Sequence, residues 1–104
     1  MTRYVKVETE ERFSPGCVKK VYAGDRRIAV FNDQGTLFAV DDTCTHVGGS
    51  LSNGHCDNGV VTCPWHSAQF CLADGRSLGP KEFYRRLEVY QLRVKSGVIE
   101  VKIE

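Results

Sequence analysis

Two short boxes in the sequence bring sulfur and nitrogen donors together: Cys44-Thr45-His46 and Cys63-Pro64-Trp65-His66, separated by the 16 residues 47–62. Each box supplies one thiolate and one imidazole at close range. Two Cys and two His satisfy tetrahedral zinc, so a structural zinc site is one chemistry they could do. Zinc spacings, however, commonly pair like with like, a Cys-Cys knuckle followed by a His-His pair. A mixed box suits a binuclear centre, because two loops clasping it can each send a Cys to one metal and a His to the other. The inner metal then has two thiolates and the outer metal two imidazoles.

Such loops need a rigid base, and the sequence supplies strands for one. Val5 and Val7 alternate with polar residues near the start of the chain, as do Ile99, Val101 and Ile103 near its end. This is the period of a half-buried strand. Between them, 17–23, 27–32, 36–41, 60–63 and 87–95 are rich in β-branched or aromatic residues. In 87–95 the apolar residues change register between Val89 and Tyr90, which predicts a bulge or bend near Val89. Gly24-Asp25, Gln34-Gly35, Asn53-Gly54, Asn58-Gly59, Asp74-Gly75 and Ser96-Gly97 are the expected turns. A single helical turn is expected over 82–86. The pattern predicts an all-β chain, a small antiparallel sandwich or barrel.

The 104 residues make one domain, and Lys+Arg 14 against Asp+Glu 13 argues against a nucleic-acid protein with a dense basic face. No apolar run approaches the ~18 residues of a membrane helix, and the N-terminus has no signal-peptide core. A cytoplasmic location is expected. An odd count of five cysteines then reads as metal ligands plus free thiols. Charge is uneven: 44–79 holds only Arg76, Asp57 and Asp74, yet carries four of the five cysteines and all three histidines. Cys17 and Cys71 are expected to be buried structural thiols, and His55-Cys56 a surface turn. Lys81, Arg85 and Arg86 could steer an acidic partner or form an ordinary solvated surface.

The two boxes and the strands around them resemble the Rieske-type ferredoxins, from Val30-Phe31 through both boxes to the closing strands. The resemblance implies one Rieske-type 2Fe–2S cluster, with Cys44 and Cys63 on the buried iron and His46 and His66 on the outer one. It also implies an antiparallel Rieske fold: a sandwich or barrel base (about 1–43 and 80–104) with a small cluster-binding subdomain (about 44–79) inserted. Pro80 corresponds to a proline loop that covers the cluster in relatives.

The Rieske proteins of respiratory and photosynthetic complexes join their cluster loops by a disulfide. Its positions here are Gly49 and Trp65, so that staple is absent. Those relatives also carry a Ser and a Tyr whose hydroxyls bond the cluster sulfurs, and here Ala68 and Phe70 take their places. Neither side chain donates a hydrogen bond, although Ser67 offers a hydroxyl one residue earlier. Fewer donors imply a potential low in the Rieske range.

With His46 and His66 taken, only His55 remains, and no dinucleotide fingerprint is present. The resemblance therefore implies a non-enzymatic electron carrier, a monomer that takes electrons from an NAD(P)H-oxidising flavin reductase. It would pass them to a terminal oxygenase, either a ring-hydroxylating dioxygenase or a related monooxygenase. Two other readings stand beside it: a small subunit of a reductase such as assimilatory nitrite reductase, and a zinc-stapled interaction module.

Overall fold

Three antiparallel sheets make up the computed structural model, which describes residues 2–44, 49–64, 68–79 and 85–103. The strands are β1 (Arg3–Thr9), β2 (Val18–Ala23), β3 (Arg26–Asp33), β4 (Thr36–Asp41), β5 (His55–Asp57), β6 (Val60–Thr62), β7 (Gln69–Cys71), β8 (Ser77–Gly79), β9 (Val89–Tyr90), β10 (Leu92–Lys95) and β11 (Val98–Ile103). One sheet runs β1-β11-β10, a second β2-β3-β4-β9, and a third β5-β6-β7-β8. The remaining element is a 3-10 turn, Leu51–Asn53. The all-β antiparallel architecture is the one that the alternation predicts. No helix among the described residues is long and apolar enough to cross a membrane.

β3 lies at the centre. Its run Ile28-Ala29-Val30-Phe31 is buried on both faces, which is why it reads as continuously apolar rather than alternating. Ala29 and Phe31 point into a core shared with Leu51, Val61, Phe70 and Leu72. Ile28 and Val30 point the other way, into a core with Val7, Phe13, Ile99 and Val101. The third sheet thus has no separate core of its own. It closes over one face of the second sheet, and the first sheet closes over the other. Phe31 and Phe70 are among the largest buried side chains, each worth about 1.5–3 kcal/mol of transfer free energy.

Hairpins set the registers. Gln34-Gly35, Asn58-Gly59 and Ser96-Gly97 each take positive φ at both residues, the geometry of two-residue turns that match strand twist. Asn53-Gly54 is different from the expectation. Gly54 has φ −87° and ends the 3-10 turn instead of making a hairpin. A Cβ there would run into the Thr62 carbonyl oxygen, so close backbone approach is what requires glycine.

Two registers also differ from the sequence reading. Residues 87–95 do not form one bulged strand: β9 pairs with β4 in the second sheet and β10 with β11 in the first. The chain changes sheets at Gln91, whose carbonyl accepts the Lys102 N–H at 2.9 Å. Leu87 accordingly packs in one core while Tyr90 and Leu92 pack against the other. Register shifts lie instead in β1, between Lys6 and Glu8, leaving Val7 unpaired and buried, and between Gln69 and Phe70 where β7 pairs with β8. Most of 82–86 lies outside the described residues, and Arg85 and Arg86 are irregular.

Candidate metal centre

Cys44 and Cys63 stand at the entrances of two turns built alike. The Cys44 N–H donates to the Gly49 carbonyl at 2.8 Å, and the Cys63 N–H donates to the Ala68 carbonyl at 2.7 Å. Each closes a loop five residues on. Both cysteines are 1% exposed and belong to one apolar cluster with Leu51, Val61, Ala68 and Phe70. None of the five cysteines forms a disulfide. A thiolate among apolar side chains is costly unless a metal shares its charge, so this pair fits a sulfur-bound metal.

The loops are supported differently. The arms of the Cys63 loop are β6 and β7, paired at Val60↔Cys71, Val61↔Phe70 and Thr62↔Gln69. The arms of the Cys44 loop share one isolated bridge, Thr43↔Ser50, and a hydrogen bond from the Leu51 N–H to the Asp42 carbonyl at 2.7 Å. His46, Trp65, His66, Ser67, Pro80 and Lys81 lie outside the described residues. Among the described residues no three or more His, Cys, Asp or Glu gather to hold a metal.

The other candidates fall elsewhere. His55 and Cys56 are in β5 rather than a turn, because their backbone pairs with Thr62 and Val61. His55 is exposed and Cys56 half-buried. Burial, with the Asp33 and Asp57 carboxylates, pushes the Cys56 thiol up and keeps it protonated. Cys17 and Cys71 are half-buried rather than fully so. Cys17 precedes β2, with its Sγ 3.6 Å from the Ser14 Oγ. The Asp74–Arg76 pair, at 2.8 Å, is an exposed one.

Sequence reasoning missed Asp42. Its side chain is fully buried, yet Asp41-Asp42 reads as an ordinary polar doublet. Strand alternation separates the two. Asp41 Oδ1 accepts the Tyr90 hydroxyl at 2.6 Å, while Asp42 turns inward. Burial pushes the Asp42 carboxyl up, but the Ser50 hydroxyl, the Ser52 N–H and hydroxyl, and Lys20 outweigh it and hold it below the usual value.

The description "Rieske [2Fe-2S] domain" matches residues 3–90. The chain is 40% identical over 97 residues to the 3-phenylpropionate/cinnamic acid dioxygenase ferredoxin subunit of Photorhabdus laumondii, covering 91% of this chain and 90% of that one. It is 33% identical over 93 residues to the biphenyl dioxygenase ferredoxin subunit of a Pseudomonas species, covering 88% and 84%. Among solved structures, a chain in the complex of reduced oxygenase and oxidized ferredoxin of carbazole 1,9a-dioxygenase superposes with TM-score 0.87 at 31% identity, covering 94% and 91%. A nitrite reductase small subunit from Mycobacterium tuberculosis, described as NADH-dependent, gives 0.85 at 26% identity, covering 100% and 97%.

Proposed function

Because the chain belongs to the Rieske 2Fe–2S family, we propose that it is the ferredoxin of an oxygenase system, carrying single electrons to a terminal oxygenase. Its cofactor is a Rieske-type 2Fe–2S cluster, which when bound supplies reversible uptake of one electron. Cys44 and Cys63 would hold one iron, and His46 and His66 the other. The observation that carries this is the matched pair of buried cysteines, each closing its own loop through its N–H. Residues 44–79 act as the cluster-binding subdomain on a base of 1–43 and 80–104.

The chain's own residues have three tasks. The two thiols give up their protons to become ligands. Leu51, Val61 and Phe70 exclude water from the sulfur side. The sparse charge of 44–79 lets the histidine-bearing end approach a partner without stripping water from fixed charges.

The electron donor is an NAD(P)H-oxidising flavin reductase, and the acceptor an aromatic-ring dioxygenase or related monooxygenase. The dioxygenase ferredoxin subunits among the relatives support the acceptor, as does the oxygenase–ferredoxin complex among the structures. A cytoplasmic monomer suits a shuttle that draws on NAD(P)H. The protein is an electron-transfer component rather than a catalyst, as its relatives are by name ferredoxin subunits. The nitrite reductase reading is less favoured, because that likeness is at 26% identity against 40% for the dioxygenase relative.

The deciding experiment is anaerobic purification, iron and acid-labile sulfide analysis, and paramagnetic resonance after reduction. Equal iron and sulfide with a Rieske spectrum is expected. A colourless protein with stoichiometric zinc would overturn the assignment. Reoxidation of the reduced protein by oxygenase, but not by nitrite reductase, tests the partner.

A further inference from the structure

A carboxylate with no exposure is tolerated only when its oxygens are fully partnered, and the partners of Asp42 all belong to other segments. Its Oδ2 accepts the Ser50 hydroxyl at 2.5 Å and faces Lys20 Nζ at 3.5 Å. Its Oδ1 accepts the Ser52 N–H at 2.7 Å. The Ser50 and Ser52 hydroxyls lie 2.9 Å apart, linking the two contacts. Its backbone is fixed as well, the N–H on the Arg27 carbonyl at 2.9 Å and the carbonyl on the Leu51 N–H at 2.7 Å.

These contacts span the neck of the Cys44 loop. Ser50 and Ser52 are its return arm, and Asp42 lies two residues before the cysteine. The return arm runs into the 3-10 turn, whose own N-cap Ser50 makes no side-chain capping bond. Asp42 satisfies an N–H of that first turn from across the loop instead. The Cys63 loop has no need of such a device, because the β6–β7 ladder joins its arms.

We infer that Asp42 is the positioning residue of the Cys44 loop: through Ser50 and Ser52 it fixes the return arm, doing for this loop what paired strands do for the other. Lys20, reaching from β2, balances its charge. The inference rests on Cys44 being a cluster ligand. Asp42 touches no iron itself and acts through the loop it ties.

The test uses cluster-loaded full-length protein and three variants, Asp42→Asn, Ser50→Ala and Lys20→Met. Asp42→Asn keeps the shape and loses the charge. The readouts are iron release to a chelator, the g-anisotropy of the reduced protein, and the unfolding rate in denaturant. Asp42→Asn is expected to speed iron release about ten-fold, the lower end of what outer-shell changes cost metal sites. It should also shift the g-values, with unfolding accelerated far less. Ser50→Ala should move release in the same direction by a smaller factor, and Lys20→Met by the least.

Release unchanged in both Asp42→Asn and Ser50→Ala would overturn the inference while wild type still shows the cluster. So would release and unfolding accelerated by the same factor, which is simple structural loss. Should Asp42→Asn fail to fold, Ser50→Ala decides by the same criteria. A wild type with no cluster bands overturns the ligand assignment and this inference together.

Discussion

The Asp33 carboxylate accepts a hydrogen bond from the Gly59 N–H, joining the tips of two hairpins that belong to different sheets. Gln34 strengthens the joint, its Nε2 donating to Asp57 Oδ1 at 3.1 Å and Asn58 Oδ1 at 3.4 Å. The sheet that carries Cys63 is thereby registered on the sheet beneath it through the far ends of the β3–β4 and β5–β6 hairpins.

Asp33→Ala should therefore cost stability without removing the cluster. The carboxylate is 8% exposed, and a hydrogen bond to a charged group of this kind is worth about 1.5–3 kcal/mol. Gln34→Ala, at an exposed site, should cost less than about 0.5 kcal/mol. Denaturant unfolding followed by circular dichroism measures both. Equal losses would contradict the assignment of the joint to Asp33.

Two glycines should respond to alanine for opposite reasons. Gly54 has an ordinary φ, but its new Cβ would strike the Thr62 carbonyl in β6. Gly54→Ala should cost about 3 kcal/mol, the upper part of the overpacking range. Gly59 has open space around it but φ +78°, so Gly59→Ala should cost only about 1–2 kcal/mol of left-handed strain. Comparison of their urea midpoints gives the order.

Tyr90 carries a pH signature. Burial first, and then the bond to Asp41, push its phenol from 10.0 up to about 12, against the opposing pull of Arg26. Between these values the unfolded chain has already lost the proton that the folded chain keeps. Stability from this group is thus fully present below about pH 10 and is lost as pH rises towards about 12. Ultraviolet titration should show a late tyrosine step that Tyr90→Phe removes.

Ala68 and Phe70 are both fully buried in the cluster of side chains that holds Cys44 and Cys63. With no hydroxyl at either place, voltammetry should find a potential near or below 0 mV, in the lower part of the range of roughly −150 to +300 mV. Phe70→Tyr and Ala68→Ser should each raise it, because donors to sulfur favour the reduced state. A wild-type value near the top of the range would refute the hydroxyl argument.

What could be read in advance followed from the length of each pattern. β2, β3 and β4 are six to eight residues long, enough for β-branched runs and Gly-marked turns to stand out. β5 and β8 have three residues each, too few to display a period, and the sequence reading left them out. The switch of sheets at Gln91 imitates a bulge, since both displace the apolar register by one. At the candidate site the coming together of Cys44 and Cys63 was legible because ligand chemistry is written in residue types, while His46 and His66 lie outside the described residues. The role of Asp42 was not, because its burial depends on Ser50 and Ser52 folding back over it.

β3 contributes one wall to each of the two cores, so loss of either should weaken the other. Free energy released on iron binding at one end should accordingly be felt throughout the chain. Heating should show a single transition for all three sheets, and amides of β1 and β11 should exchange faster with solvent hydrogen once the metal is gone. A reagent that strips iron would act as a denaturant of strands that never meet it.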